Sequence, residues 1–180
     1  MSILPSYQQI FDRSGNDPIQ TLPNKILLNN RYEIGKILGT GGFATTYLAW
    51  DQRYKHPVVI KELFPSEIVQ RDRTTNITLK LSSYQNSTTL VSIWEQVKAK
   101  FIQESEILFT LPPSAHRVRS IEHFTEFGTY YYAMTYQSGE TLSDWLIAQT
   151  PNLVHFRYIW DLLEPLWQDM TLVHETKILH

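Results

Sequence analysis

Three short runs rich in β-branched and aromatic residues, Arg31–Leu38, Ala44–Trp50 and Val58–Leu63, stand between clusters of turn-forming residues. They predict three strands. Gly39, Gly41 and Gly42 fall between the first two, Asp51–Pro57 is polar and turn-like, and Pro65 ends the third. Residues 1–30 are rich in Ser, Asn, Gln and Pro and hold no sustained period. They read as a leader, partly disordered, with Ile26-Leu27-Leu28 docking near the first strand. The polar stretch 66–91 contains one alternating run, Ile77–Leu81, which predicts a small extra strand.

The period then lengthens. A helix is expected from Ser92 to about Phe109, opened by a Ser92/Glu95 capping box and closed off by Pro112-Pro113. Val118–Phe127 and Tyr130–Tyr136 predict an antiparallel strand pair joined at Gly128-Thr129. Thr141–Ala148 predicts a short helix. Asn152 is placed to cap a longer one reaching His174, with Trp160, Leu163, Trp167 and Met170 on one stripe and a kink at Pro165. Strands, a helix, two strands, then helices describe an α+β chain: an antiparallel five-stranded sheet with one packed helix, followed by the start of a helical lobe.

Composition narrows the function classes. The 180 residues are 42% hydrophobic and 13% aromatic, with five Trp, which suits a packed chain. A net charge of −2 gives no support to a nucleic-acid surface. The absence of cysteine excludes disulfides, thiolate metal sites and cysteine nucleophiles. No apolar run approaches the ~18 residues of a membrane span, and Met1–Ile10 has no signal-peptide pattern, so a cytoplasmic protein is expected. His116, His123, His155 and His174 lack metal-ligand spacing, and no metal site is expected among them.

The chemistry-bearing residues lie between Leu38 and Gln137. Gly39, Gly41 and Gly42 let backbone N–H groups approach phosphate oxygens with no Cβ in the way, although glycines also serve plain hairpins. No Gly-Lys-Ser/Thr follows, and the next element is a strand, so this is not a Walker A loop. Lys61 ends an apolar strand on the same face as Val59. A buried-face lysine wants an anion; an edge lysine in solvent is the alternative. Val97, Phe101, Glu104 and Leu108 share one helix face, so Glu104 interrupts an apolar stripe and is the natural partner of Lys61; a surface glutamate is the alternative. Glu106 falls off the stripe. Met134 to Gly139 leaves a strand beside these residues with backbone groups that could meet a base edge, or is simply a strand end.

Taken together, Arg31-Tyr32-Glu33-Ile34-Gly35, Gly41-Gly42-Phe43, Thr46-Tyr47-Leu48-Ala49, Ile60-Lys61-Glu62-Leu63-Phe64-Pro65, Phe101-Ile102-Gln103-Glu104, Tyr132–Tyr136 and Gly139-Glu140-Thr141-Leu142 resemble the N-terminal part of a protein kinase domain. The resemblance is to bacterial serine/threonine kinases of eukaryotic type and covers about residues 31–180. It implies a nucleotide-binding N-lobe over 31–137, and a hinge exit with the first helices of an incomplete C-lobe over 138–180. It implies that Gly39, Gly41 and Gly42 cover the ATP phosphates, with Leu38, Thr40 and Phe43 also in the ATP-binding set, and that Lys61 binds the α- and β-phosphates while pairing with Glu104. Thr46, Val59, Met134, Thr135 and Gln137 would surround the adenine. Three residues depart from the pattern. Ala44 replaces the third loop glycine. Thr46 stands for the usual valine above the base, and Val59 for the usual alanine, narrowing the adenine pocket.

His180 aligns with the histidine of the His-Arg-Asp motif, so the catalytic Asp, the second metal-binding Asn and the Asp-Phe-Gly aspartate would follow it. Mg²⁺ would then arrive with the nucleotide only, and the 180-residue chain alone is expected to transfer no phosphoryl group. Two functions are expected. One is a serine/threonine kinase domain fragment, partnered by ATP, a protein substrate and the remaining kinase half. The other is a stand-alone kinase-like (pseudokinase) module that binds a nucleotide or another kinase.

Overall fold

The computed structural model describes residues 4–13, 21–72, 79–81, 87–114, 116–149 and 156–175. Its centre is an antiparallel sheet of six strands: β1 (Leu27–Leu28), β2 (Tyr32–Thr40), β3 (Ala44–Asp51), β4 (His56–Leu63), β7 (Ser120–Glu126) and β8 (Thr129–Thr135). They lie in the order β1-β2-β3-β4-β8-β7. A second ribbon pairs β5 (Val69–Arg71) with β6 (Leu79–Leu81). The helices are α1 (Tyr7–Ile10), α2 (Ser87–Thr110), α3 (Leu142–Gln149) and α4 (Phe156–Glu175).

The α+β class read from the sequence is the class found. The sheet has six strands where five were expected, because Leu27 and Leu28 pair with Glu33 and Tyr32 at the β2 edge. Asn29 and Asn30 make that connection possible: both take left-handed φ near +50°, which asparagine tolerates better than most residues. The β7–β8 hairpin turns on Phe127 and Gly128, also both at positive φ, with Glu126 opposite Thr129.

Strand alternation divides the side chains between two faces. On one face Leu22, Leu28, Tyr32, Ile34, Tyr47, Val58, Ile60 and Tyr131 form the largest buried cluster. On the other, Leu63 and Tyr132 receive Phe101 of α2, with Val97 and Leu108 alongside. Ile10 and Phe11 cover Leu48 further along that same face. The α1 segment, read from the sequence as part of the leader, is fixed by a Ser6/Gln9 capping box and by Arg13, whose guanidinium donates to the Gly35 and Leu22 carbonyls.

The start of α2 differs from the sequence reading. The helix begins at Ser87, so Ser92 lies inside it and caps nothing; its hydroxyl accepts from the Gln96 amide, and Glu95 pairs with Lys98. Leu90 explains the extension. It is buried against Phe64, Ile68 and Val69, and that contact favours helix well before the local capping signal. At the other end α3 starts as expected: the Thr141 hydroxyl accepts from the Asp144 N–H and donates to its carboxylate. Pro165 lies within α4, while Asn152 and His180 fall outside the described residues.

Candidate functional site

β2 and β3 separate at Gly41–Phe43 to form a turn that overhangs the α2 side of the sheet. The Gly41 N–H donates to the Ala44 carbonyl at 2.8 Å, and the Phe64 N–H donates to the Phe43 carbonyl at 2.9 Å, tying the turn to the end of β4. The Phe43 side chain is 65% exposed at the tip. The fold itself does not demand the glycines. A Cβ on Gly39 or Gly42 would meet nothing within 4 Å, one on Gly41 would meet only the Ala44 carbonyl at 3.7 Å, and none of the three takes left-handed φ. Glycine in an extended segment costs about 0.5–1 kcal/mol relative to alanine. What these three leave unfilled is the space beneath the turn.

Lys61 lies below that space. Its register neighbours are Thr46 on β3 and Tyr132 on β8, and alternation turns its side chain towards α2. Its ammonium donates to Glu104 Oε1 at 2.7 Å. Glu104 is presented by the stripe that packs Phe101 and Leu108 against the sheet, so burial of the helix's apolar face also sets the height of the carboxylate. The Tyr132 hydroxyl donates to the same oxygen at 2.9 Å. Burial, reinforced by the neighbouring Glu104 charge, pushes the Tyr132 phenol well above its ordinary value.

Between the turn, β4 and α2 is a cleft of about 580 Å³. The sheet lines it with Gly39–Ala44, Thr46, Lys61 and Leu63, and the helix with Val97, Lys100, Phe101 and Glu104. Its charged groups are thus one ion pair, Lys61–Glu104, and one further cation, Lys100, that forms no salt bridge among the described residues. Beneath the glycine turn the cleft offers an anion two ammonium groups, Lys61 on the strand and Lys100 on the helix wall.

Of the residues singled out from sequence, Gly39, Thr40, Gly41, Gly42, Phe43, Thr46, Lys61 and Glu104 therefore meet in one cleft. Leu38, Val59, Met134, Thr135 and Gln137 are outside its lining. Val59 and Met134 face each other two residues along from the Lys61–Tyr132 pair, on the same face. The Thr135 N–H is engaged by the Arg119 carbonyl at 3.0 Å, so it is not free for a base edge; Gln137 is exposed beyond the strand. Among the described residues no group of His, Cys, Asp and Glu is arranged to hold a metal ion.

Sequence reasoning missed two residues beside the Lys61–Glu104 pair and the cleft, and one buried pair. Lys100 precedes Glu104 by one helical turn, and Tyr132 precedes Met134 on the same strand face, so spacing could have found both. The pair is Glu62–Arg71. Next to Lys61 but on the opposite face, fully buried Glu62 accepts from Arg71 at 2.6 Å, Tyr47 at 2.9 Å and Tyr131 at 3.0 Å. Burial raises the Glu62 carboxyl above its ordinary value against the pull of Arg71 and the two phenols. Only the fold brings Arg71 of β5 to this site.

No family model matches the sequence. The chain is 24% identical over 162 residues to the "Probable serine/threonine-protein kinase YbdM" of Bacillus subtilis (strain 168), covering 88% of this chain and 52% of that protein. It is 26% identical over 157 residues to the serine/threonine-protein kinase PknA of Nostoc sp. (strain PCC 7120 / SAG 25.82 / UTEX 2576), covering 86% of this chain and 24% of the relative. Among solved structures it is similar to the apo form of PpkA-294, with a TM-score of 0.75 and 27% identity over 89% of this chain and 54% of the other. It also matches the PknI kinase domain of M. tuberculosis, with a TM-score of 0.62 and 14% identity over 89% of this chain and 53% of that one. The chain thus spans about half the length, or less, of the proteins it matches.

Proposed function

We propose, on the premise that this chain carries the fold of the N-terminal part of a protein kinase domain, that it is the nucleotide-binding portion of a serine/threonine kinase. The observation that carries this reading is the 2.7 Å Lys61–Glu104 pair set directly beneath a turn whose three glycines the fold does not require. Amides of the turn would receive phosphate oxygens. Lys61, held by Glu104, would place its charge between the α- and β-phosphates, and Val59 and Met134 would border the base. Mg²⁺ would arrive with the nucleotide, and the cytoplasm is the compartment that suits such a ligand.

In a complete domain the reaction would be transfer of the γ-phosphoryl group of ATP to a serine or threonine hydroxyl. The groups that orient the acceptor and hold the metal would, by the resemblance, belong to the part of such a domain that follows the His180 position, and the cleft between the turn, β4 and α2 would supply nucleotide binding. The further helices of such a domain would cover α4.

Titration calorimetry with ATP on the 180-residue chain tests the reading. Saturable binding is expected, weakened about tenfold or more by Lys61→Ala, the loss of a charged contact worth roughly 1.5–3 kcal/mol. Absence of any binding at millimolar ATP overturns it.

A further inference from the structure

We propose that Tyr132 is a positioning residue for the clamp: its hydroxyl fixes the Glu104 carboxylate, and through it Lys61, in phosphate-binding geometry before any nucleotide arrives. The inference rests on the nucleotide-clamp reading above and adds to it a residue that lies outside both the glycine turn and the Lys–Glu pair.

Four observations converge on this tyrosine. Its hydroxyl donates to Glu104 Oε1 at 2.9 Å, the same oxygen that Lys61 reaches at 2.7 Å. Its ring packs on Phe101 of α2 with centroids 5.0 Å apart, so one β8 side chain meets the helix at both Phe101 and Glu104. The Lys61 ammonium lies 5.6 Å from the centroid of that ring. Tyr132 is itself 1% exposed and is the register partner of Lys61 on the adjacent strand, so its backbone and ring are fixed by the sheet.

The chemistry follows from this placement. A lysine and a glutamate that are both partly open to water, with side chains 23% and 48% exposed, gain little from pairing alone and lose side-chain entropy in doing so. A buried phenol removes much of that penalty. It holds the carboxylate in one rotamer from a rigid strand, and its raised pKa keeps it a neutral donor. The contact with Phe101 limits rotation of α2 about its own axis, which would otherwise swing Glu104 out of reach. A hydroxyl at position 132 therefore couples the helix to β8, the strand paired with the one that carries the cation, with no external partner needed.

The test is a double-mutant cycle read by ATP affinity. Tyr132→Phe keeps the ring on Phe101 and removes only the hydroxyl. It is expected to weaken ATP binding about fivefold, the scale of one hydrogen bond. In a Glu104→Ala background the same change should have no effect, since the hydroxyl acts only through that carboxylate. A merely structural tyrosine would lower the melting temperature but weaken binding equally in both backgrounds, and that result overturns the proposal. So does unchanged ATP affinity in Tyr132→Phe. Undiminished binding by Lys61→Ala would instead overturn the nucleotide reading itself, so the two failures are distinguishable. Should Tyr132→Phe alter the fold, Tyr132→Leu serves as the second variant: it stays apolar, adds no volume to the buried site and lacks the hydroxyl, and a similar loss is expected only where Glu104 is present.

Discussion

At the level of single residues, the cleft has a charge imbalance that would suit an anion. Lys61 is offset by Glu104, whereas Lys100 carries its charge into the same space with no offsetting carboxylate among the described residues. On the nucleotide reading, Lys100 would meet the far end of the phosphate chain, because it stands on the helix wall while Lys61 stands on the strand. Lys100→Ala should therefore weaken ATP more than ADP, by about fivefold at low salt, with the difference shrinking as salt screens an exposed charge. Its exposure implies no change in melting temperature. Calorimetry with the two nucleotides at two salt concentrations decides the matter, and equal losses for ATP and ADP would remove Lys100 from the terminal phosphate.

At the level of elements, the most exacting contact is the one between α1 and β2. A Cβ at Gly35 would lie 2.3 Å from the Ile10 carbonyl oxygen, 2.5 Å from Ile10 Cγ2 and 2.8 Å from the Leu48 carbonyl oxygen. Two of those three atoms are backbone and cannot step aside as a flexible side chain would. Gly35→Ala is therefore expected to cost about 1–3 kcal/mol or to release α1 from the sheet. Thermal denaturation together with limited proteolysis ahead of residue 21 would read either outcome, and a variant as stable and as protected as the parent would refute the close approach.

Gly35 also marks the boundary of what the sequence made legible. Alternation and turn residues revealed β2, β3, β4, β7 and β8, because those signals are local. The face-sharing of Val97, Phe101 and Glu104 was legible for the same reason, and so the Lys61–Glu104 encounter could be anticipated. The α1 dock, the early start of α2 at Leu90 and the Glu62–Arg71 pair depend on distant segments meeting. Glycine, leucine and arginine at those positions carry no local sign of the partner that gives them meaning.

For the whole molecule, the two ends of the described chain are finished differently. The sheet packs side chains on both its faces, while α4 presents Tyr158, Trp160, Leu162, Leu163, Leu166, Trp167 and Met170 to solvent, with Trp167 72% exposed. Trp160, Leu163, Trp167 and Met170 line an apolar groove of about 590 Å³. Ser114 and Arg117, in the segment between α2 and β7, both reach Asp169 of α4. Exposed apolar side chains such as Trp167, Leu166 and Met170 favour association in water. The isolated 180-residue polypeptide should therefore self-associate at micromolar concentration, and the double substitution Leu166→Glu and Trp167→Glu should return it to a monomer in sedimentation velocity. Because those side chains are absent from the cleft lining, ATP affinity should be the same before and after. A parent chain that sediments as a monomer would show that α4 is covered from within. A monomeric variant with lost ATP binding would show that the helical segment and the cleft are energetically one unit.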